Sequence, residues 1–501
     1  MDLQYLISFL IFFTNLLFFI INWFRTINNT NDHLPPQPWK LPILGHAHHL
    51  IGSQPHIALA NLAEKLGPIV HLQLGEISAI IISSPSFAKQ IMKNHDISFA
   101  NRPKLLSADI IGYNYTDIVF SPYGDYWRQM RKICVLELLS AKKVQSFRSL
   151  REQESWKLIE SITNEVSTSV NLSDKVLTMV NTIMCKVAVG SRCKDQGTFI
   201  ALIEDPIQFS SGFDVSDLFP SSKLLPLVTG TKNKFLKLRN KIDKILDDII
   251  SDHQERRAGK RINHENEDLL DVLLRLKNDG GLEVPITTDN IKAVILDMFG
   301  AGTDTSSVTL IWAMSELMKN PKVMKKAQTE IRKVLKEKIK IHESDIQELD
   351  YLKLVIKETL RLHPPLPLLI PRECREKCEI GGFEIPIKTK VITNSWKMGR
   401  DPDYWVDPES FLPERFMESS VNMMGTDFKY LPFGSGRRMC PGMTLGLANL
   451  ELPLAILLNH FNWELSNQET PEEFDMTESF GVTLKRKNDL FLVPCPYSTN
   501  Y

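Results

Sequence analysis

Apolar residues follow two different periods along the chain. The residues from Thr288 to Asn320 are apolar enough to predict one long buried helix, with small and polar residues from Gly300 to Ser306 in its middle. A second buried helix is predicted from the leucine-rich run between Leu445 and Leu457. From Ile69 to Ile82, short apolar runs flank Gly75-Glu76, which is typical of a β-hairpin. Most of the chain beyond the hairpin shows the helical period, so the pattern predicts a mainly α-helical protein.

The first apolar stretch, Leu3 to Phe24, contains no charged residue. A helix of this length would span about 33 Å, enough to cross a bilayer. A cleaved signal peptide is the alternative, but the stretch is long for one and has neither a basic leader nor a small-residue cleavage site before Arg25. We therefore expect a single membrane anchor over residues 1–24, a proline-rich hinge over residues 25–45 and one folded body over residues 46–501. Because Arg25 follows the anchor, we expect the body to face the cytosol.

Composition narrows the class of protein. Of the 501 residues 43% are hydrophobic and 24% are charged, and the net charge is -1, which describes a globular protein with ample core. This charge gives no general attraction to nucleic acid, so we expect no nucleic-acid partner. The 7 cysteines are few, odd in number and scattered, unlike a disulfide framework.

One cysteine, Cys440, stands out as a candidate metal ligand. Pro441 suits the first position of the helix that follows, and the positive end of a helix dipole favours a thiolate. Arg438 could reach an anionic group on a bound cofactor. Three nearby glycines would let the backbone lie close to a flat cofactor: Gly434, Gly436 and Gly442. Taken alone, a structural cysteine in a tight turn is the simpler interpretation.

The spacing around this cysteine is more specific. Phe433, Gly436, Arg438, Cys440 and Gly442 form the pattern Phe-x-x-Gly-x-Arg-x-Cys-x-Gly, which resembles the haem-binding loop of the cytochrome P450 family. The resemblance implies the cytochrome P450 fold, with one large α-rich domain and a small β-rich lobe. It also implies haem b as cofactor, with Phe433 and Arg438 in its binding loop and Cys440 as the thiolate ligand that favours O–O cleavage.

The small residues inside the long helix fit the same family. By themselves they favour close helix packing or a local bulge. In context they resemble the family's oxygen-activating segment, which implies that Ala301 and Gly302 leave space over the iron. Thr305 would then hydrogen-bond the activated oxygen, and Asp304 would help to bring protons.

Trp127 and Arg131, four residues apart, share one helix face. A solvated basic face is the alternative, but the resemblance implies that they hold a haem propionate, and that Arg372 binds another. Nearby basic residues make this face a docking candidate for an acidic redox partner, which the resemblance identifies as NADPH-cytochrome P450 reductase. These residues are Arg128, Lys132, Lys142 and Lys143.

A further resemblance concerns folding. Glu358 and Arg361 lie three apart on a predicted helix, and Arg415 belongs to a Pro-Glu-Arg-Phe element downstream. In the family these three form a buried charge network behind the haem, so we assign them to folding and not to chemistry.

Together these elements resemble the plant microsomal members of the family. They imply a monooxygenase of the endoplasmic reticulum membrane that inserts one atom of O₂ into a small apolar substrate with electrons from NADPH. Two alternatives stay open: a haem-thiolate isomerase or dehydratase, and a non-catalytic haem protein.

The substrate is the least determined part. Three of the segments expected to line the pocket are mostly apolar, which favours a hydrocarbon-like guest and a terpenoid over an alkaloid. Asp297 is the exception, because it could pair with an amine if it faces the pocket. The expected segments are Asn101 to Ser121, Phe209 to Phe213, Asp297 to Ala301, Leu366 to Ile370, and Ser479 to Val482.

Overall fold

A computed structural model describes the folded body of the chain. It covers residues 33–497 apart from 192–196, 198–199, 201–212, 258–266, 337, 339 and 467–468. The anchor expected over residues 1–24 and part of the expected hinge lie outside these residues, as does most of the segment 209–213. Within the described ranges, no helix is both long and apolar enough to cross a membrane.

Helices form most of the described body, as the hydrophobic period predicts. The α-helices are α1 Pro55–Leu66, α2 Pro85–Lys89, α3 Leu106–Ile110, α4 Asp125–Ile133, α5 Ala141–Ser146, α6 Arg148–Thr163, α7 Leu172–Val189, α8 Val215–Leu218, α9 Leu225–Val228, α10 Thr231–Arg257, α11 Leu269–Asp279, α12 Thr288–Lys319, α13 Pro321–Leu335, α14 Asp350–Leu362, α15 Ser395–Met398 and α16 Met443–His460. Short 3₁₀ turns cover Ala47–Leu50, Pro413–Phe416 and Gly436–Arg438, and π turns cover Gln90–Asn94 and Cys134–Leu138.

The strands are short and form small sheets. They are β1 Ile69–Leu74, β2 Ile77–Ile82, β3 Val170–Asn171, β4 Arg372–Glu373, β5 Cys378–Ile380, β6 Phe383–Ile385, β7 Lys390–Thr393, β8 Phe461–Leu465, β9 Glu478–Phe480, β10 Leu484–Arg486 and β11 Phe491–Pro496. The largest sheet has the order β1-β2-β7-β4, in which β1 and β2 form the predicted antiparallel hairpin and β2 and β7 run parallel. A three-stranded sheet has the order β3-β11-β8, and β5-β6 and β9-β10 form separate pairs.

Helix α12 is the centre of the fold. It packs against α7 on one side and α16 on another, and most of its residues are buried in the main hydrophobic core. A capping box between Thr287 and Asn290 fixes its start. The local bulge considered for its small-residue segment is absent, since α12 is a continuous α-helix from Thr288 to Lys319. The hydroxyl of Thr305 donates to the Ala301 carbonyl at 2.7 Å without breaking the backbone ladder.

The helix behind Cys440 begins later than the sequence suggests. The sequence predicts Pro441 at its first position, but α16 starts at Met443 with Gly442 as its N-cap. Cys440 therefore lies in the preceding loop, where its own N–H donates to the Phe433 carbonyl at 2.9 Å. The backbone before the helix is thus fixed by the loop and not by the first helical turn.

The predicted charge network is present, and its Glu358–Arg361 pair is fully buried. Arg361 donates to the Glu358 carboxylate through Nε and through Nη2, each at 2.8 Å. The side chains of Arg361 and Glu358 are both 0% exposed. Arg415 Nε donates to the same carboxylate at 2.9 Å. Arg361 also donates to the carbonyls of Gly399 and Pro408, so the network ties α14 to the long segment that leads toward Cys440.

Candidate functional site

The conformation of the loop before α16 requires glycine at two positions. Gly434 and Gly436 both have a φ of 69°, a backbone conformation that favours glycine. A Cβ on Gly436 would also lie 2.3 Å from the Met92 carbonyl oxygen. The loop therefore packs directly on the π turn Gln90–Asn94, and this contact sets where Cys440 lies.

Cys440 faces an internal cavity of about 230 Å³. Ala301, Gly302 and Thr305 of α12 line this cavity together with Phe433. Burial raises the pKa of the Cys440 thiol, whereas the Gly442 N–H and the charge of Arg131 lower it. The helix-dipole effect on this thiol stays a prediction; the sulfur lies in the loop ahead of the first helical residue, Met443.

Four arginines line the same cavity and converge from different elements. Arg102 precedes α3, Arg131 is on α4, Arg372 is in β4 and Arg438 is in the Cys440 loop. Burial lowers the pKa of Arg438 to about 9, and repulsion by Arg372 and Arg131 adds to this. Burial likewise lowers the pKa of Arg102, with repulsion by Arg438 and Arg372. Such a cluster of repelling cations suits a ligand that carries more than one negative charge.

Each of these arginines is held by hydrogen bonds. Arg131 donates to the Met439 carbonyl, and Arg372 donates to the Ser435 carbonyl at 2.6 Å and to Asp96 at 2.8 Å. Arg438 donates to the Ala100 carbonyl at 2.8 Å. The guanidinium groups are therefore fixed before any ligand arrives.

Arg102 was not predicted from the sequence. It donates through Nε to the Val119 carbonyl at 2.9 Å and through Nη1 to the carbonyls of Ile370 and Pro371. A single Arg before a proline carries no local signal of a binding site. Only the contacts with residues far along the chain reveal its place in the cavity wall.

Trp127 lies behind the arginines and not in the cavity wall. Its indole N–H donates to the Ile118 carbonyl at 3.0 Å, and the guanidinium carbon of Arg438 lies 4.1 Å from the centre of its ring. The guanidinium carbon of Arg131 is 5.4 Å from the same ring. Trp127 therefore supports both arginines from beneath.

Asp304 is engaged by the β9-β10 hairpin. Its carboxylate accepts a hydrogen bond from Thr483 Oγ1 at 2.5 Å and pairs with Lys485 Nζ at 2.7 Å. Lys485 is part-exposed, with 29% of its side chain accessible to solvent. Asp304 therefore connects the buried middle of α12 to a cation that reaches the surface.

A second cavity of about 190 Å³ adjoins the Cys440 cavity; because we expect it to hold the substrate, we call it the substrate cavity. Both cavities share a set of wall residues: Val119, Asp297, Ala301, Thr305, Leu366, Leu369 and Ile370. The lining of the substrate cavity is mostly apolar, as predicted, and Phe213 contributes to it from the segment 209–213.

Asp297 lines both cavities, but its carboxyl group is already bound. Asp297 Oδ2 accepts the Ile118 N–H at 2.6 Å. Burial raises the pKa of Asp297 well above its usual range, and the nearby carboxyl group of Asp117 raises it further. Burial and the nearby Asp117 thus disfavour the charged form of this side chain, and its Oδ2 is engaged by the Ile118 N–H, which makes it a poor partner for an amine.

The site suits one class of prosthetic group. The group must be flat enough for a glycine-lined wall, must offer a metal to a thiol and must carry anionic arms for several buried arginines. Haem meets these three conditions, and the fold and site define a haem-thiolate protein.

Comparison with known proteins gives the family. The Cytochrome P450 family model matches residues 35–493, and the chain belongs to the cytochrome P450 family. It is 53% identical to premnaspirodiene oxygenase of Hyoscyamus muticus over 97% of each chain, and 53% identical to germacrene A hydroxylase of Barnadesia spinosa over 96% of each chain. The fold is similar to that of a zebra fish cytochrome P450 solved with progesterone, with a TM-score of 0.77 and 25% identity over 89% of this chain and 100% of that one.

These findings settle the class of enzyme and its cofactor. The chain is a plant-type cytochrome P450, an oxygenase that uses haem b. The mainly helical fold with a small β-rich lobe, expected from the resemblance, is confirmed.

Proposed function

We propose that this protein is a membrane-anchored monooxygenase that inserts one oxygen atom from O₂ into a terpenoid. Electrons come from NADPH through NADPH-cytochrome P450 reductase. The observation that carries the proposal is the shared wall of two cavities, one with Cys440 and four arginines and one with an apolar lining.

Haem b, when bound with a thiolate ligand, supplies the chemistry that activates O₂. We assign Cys440 as its metal ligand and Arg102, Arg131, Arg372 and Arg438 as the partners of its carboxylates. Phe433 and Gly302 form parts of the wall beside it. A Cβ on Gly302 would lie 2.4 Å from Met184 Cε, so a larger residue there would displace the Met184 side chain, which also lines the cavity. Trp127 positions Arg131 and Arg438 beneath the site.

Two side chains of α12 are assigned to proton handling. Thr305 lies in the wall shared by both cavities, where its hydroxyl donates to the Ala301 carbonyl and can still accept a hydrogen bond. The Asp304 carboxylate lies between Thr483 and the part-exposed Lys485. We propose that protons pass from solvent by way of Asp304 toward Thr305. Ala301 leaves space beside Thr305 for a small molecule.

Two observations support a terpenoid substrate: the apolar lining of the substrate cavity and the names of similar proteins. The wall carries Ile111, Phe120, Leu296, Leu368 and Phe480, which bury a hydrocarbon skeleton without polar cost. Relatives named for premnaspirodiene and germacrene A support a terpenoid. The surroundings of Asp297 argue against an alkaloid, because its carboxyl group accepts the Ile118 N–H and burial disfavours its charged form.

Attachment to the endoplasmic reticulum membrane is the remaining part of the proposal. Residues 1–24 are the proposed anchor, 25–45 the hinge and 46–501 the body in the cytosol. Large apolar side chains near the described end of the hinge are exposed, among them Trp39, Ile43 and Ile51. This exposed apolar surface near the hinge supports the proposal that this side of the body contacts membrane lipid.

The reductase is proposed to dock at the basic face near α4. Arg128 and Lys132 belong to α4 itself, next to the cavity-lining Arg131. A redox partner bound there would lie close to the arginines that hold the cofactor.

Substrate-dependent NADPH consumption tests the proposal. Full-length protein in vesicles with reductase should consume NADPH faster when a sesquiterpene hydrocarbon is added, and should release an oxygenated product. NADPH consumption that no terpenoid of a broad panel changes would refute the proposed function. Turnover of a substrate without any NADPH would favour the isomerase alternative.

A further inference from the structure

We propose that Thr483 is a positioning residue for the oxygenation reaction, because its hydroxyl holds the Asp304 carboxylate on the side of the substrate cavity. Thr483 lies far from α12 in the chain, in the turn between β9 and β10. The inference rests on the proposed function, which assigns proton handling to Asp304 and Thr305. It adds the residue that keeps this carboxylate in place.

Asp304 and Thr305 are neighbours on α12, but the helix does not aim one at the other. Successive residues of an α-helix are turned by roughly 100° about its axis, so adjacent side chains do not face each other. Both residues line the substrate cavity, whereas only Thr305 also lines the Cys440 cavity. The orientation of the Asp304 carboxylate toward this cavity therefore depends on a contact from outside α12.

Thr483 makes such a contact from the wall of the substrate cavity. Its Oγ1 donates to Asp304 Oδ2 at 2.5 Å. Thr483 is 3% exposed and Asp304 is 4% exposed, and both residues line the substrate cavity. A hydrogen bond to an ionised acceptor is roughly twice as strong as one between neutral groups. This bond therefore fixes the carboxylate where the substrate is expected.

The other partner of Asp304 holds it from a different direction. Lys485 Nζ lies 2.7 Å from Asp304 Oδ1, and 29% of the Lys485 side chain is accessible to solvent. Thr483 lines the substrate cavity and Lys485 does not. Removal of the Thr483 hydroxyl would therefore leave the ion pair with Lys485, which draws the carboxylate toward the surface.

The hairpin itself does not depend on the Thr483 side chain. The Leu484 N–H donates to the Pro365 carbonyl at 2.9 Å, and the indole N–H of Trp312 donates to the Leu484 carbonyl at 2.8 Å. These contacts fix β10 against α12 through the backbone. Thr483→Val exchanges only the hydroxyl for a methyl group, so we expect this variant to fold and to bind haem.

The test measures product formed and peroxide released per NADPH consumed. It uses the full-length, haem-loaded protein in vesicles with reductase. The probe is the member of a sesquiterpene hydrocarbon panel (valencene, α-humulene and cedrene among them) that the wild-type enzyme oxygenates fastest. A positioned proton-transfer group contributes about 10²–10⁴-fold, and Thr483→Val keeps the carboxylate but loses its orientation, so we expect product per NADPH to fall about tenfold. Peroxide per NADPH should rise.

Two further readouts separate positioning from a loss of structure. The ratio of product formation in H₂O to that in D₂O should increase in Thr483→Val, because proton delivery then limits the reaction more strongly. A spin-state titration with the same hydrocarbon should give unchanged affinity, since the exchanged methyl group is apolar. Thr483→Ser, which retains the hydroxyl, should restore the product yield.

A double substitution tests whether Thr483 acts through Asp304. In Asp304→Asn the carboxylate is already absent, so adding Thr483→Val should cause no further loss of product per NADPH.

The matched control is Thr477→Val. The Thr477 hydroxyl also donates to an aspartate carboxylate at 2.5 Å, that of Asp475, but it is exposed and lines neither cavity. Its replacement should leave product per NADPH unchanged.

Three results would overturn the inference. They are a wild-type product yield in Thr483→Val, a yield in Thr483→Ser as low as in Thr483→Val, and an undiminished effect of Thr483→Val in the Asp304→Asn background. In each case oxygenation by the wild-type enzyme leaves the proposed function standing. A wild-type enzyme that oxygenates no terpenoid would instead refute the proposed function, and this inference with it.

Discussion

Replacing Glu358 with Gln tests the buried charge network most sharply. The Glu358 carboxylate accepts hydrogen bonds from Arg361, Arg415 and the Leu412 N–H, and its side chain is 0% exposed. Glutamine has nearly the same shape but no charge, and its NH₂ group cannot accept from a guanidinium. The change therefore leaves the buried charge of Arg361 without its counter-ion.

The magnitude follows from that unpaired charge. Breaking a buried ion pair from one side costs about 3–5 kcal/mol. Arg361 keeps its contacts with the carbonyls of Gly399, Pro408 and Ser410, which continue to solvate it. We therefore expect the lower end, about 3 kcal/mol, or a factor of roughly 10² in the folding equilibrium.

Urea titration of the haem-loaded protein, followed by haem absorbance, measures this change. The control is Asp350→Asn, which breaks the pair between Asp350 and Lys353 at 3.3 Å, where the Asp350 side chain is 87% exposed. That surface pair should cost less than about 1 kcal/mol. Equal midpoints for the two variants would refute the network's role in folding. A Glu358→Gln protein of full stability that cannot oxygenate substrate would instead give Glu358 a chemical role.

Three further predictions concern the site and its surroundings. Cys440→Ser should abolish the carbon monoxide difference spectrum of thiolate ligation, because a serine hydroxyl stays protonated near neutral pH; a full signal would contradict the assignment of the metal ligand. Thr305→Ala should retain haem but release more peroxide per NADPH consumed, whereas Ser315→Ala, which removes a similar hydroxyl-to-carbonyl bond on α12 outside both cavities, should not. Burial alone would raise the pKa of Glu478, but the His363 imidazole, with Nδ1 3.4 Å from Oε1, and the hydrogen bond with His56 Nε2 at 3.2 Å lower it far below the usual 4.5. The stability lost in Glu478→Gln, measured by urea titration, should therefore be full at pH 7 and shrink as the pH falls below about 4.5; a loss independent of pH would contradict this pairing.

Much of this site could be predicted because its residues lie within short, spaced motifs. Cys440, Phe433 and Arg438 all belong to one loop, and Asp304 and Thr305 lie next to each other on one helix. The long helix Thr288–Lys319 and the hairpin Ile69–Ile82 also follow from local hydrophobic period.

What could not be predicted depends on contacts between distant parts of the chain. Arg102 enters the Cys440 cavity because it binds the Ile370 carbonyl, 268 residues away. Asp304 pairs with Lys485, which no spacing within α12 indicates. The start of α16 was also misplaced, because the N–H of Cys440 is bound to Phe433 and the loop continues through Pro441.

The hydrogen-bond partner of Trp127 could not be predicted from the sequence either. Its spacing from Arg131 correctly indicates a shared helix face, and the two side chains are close. Spacing does not tell which group the indole N–H meets, and here it meets the Ile118 carbonyl. A direct contact of Trp127 with the cofactor stays a prediction.

The central claim is that the protein transfers one oxygen atom from O₂ to a terpenoid. Mass spectrometry of the product formed under ¹⁸O₂, with NADPH and reductase present, tests it most directly. The account predicts a product that contains one labelled oxygen atom more than its substrate. A product with no label, formed by rearrangement or with oxygen from water, would contradict it.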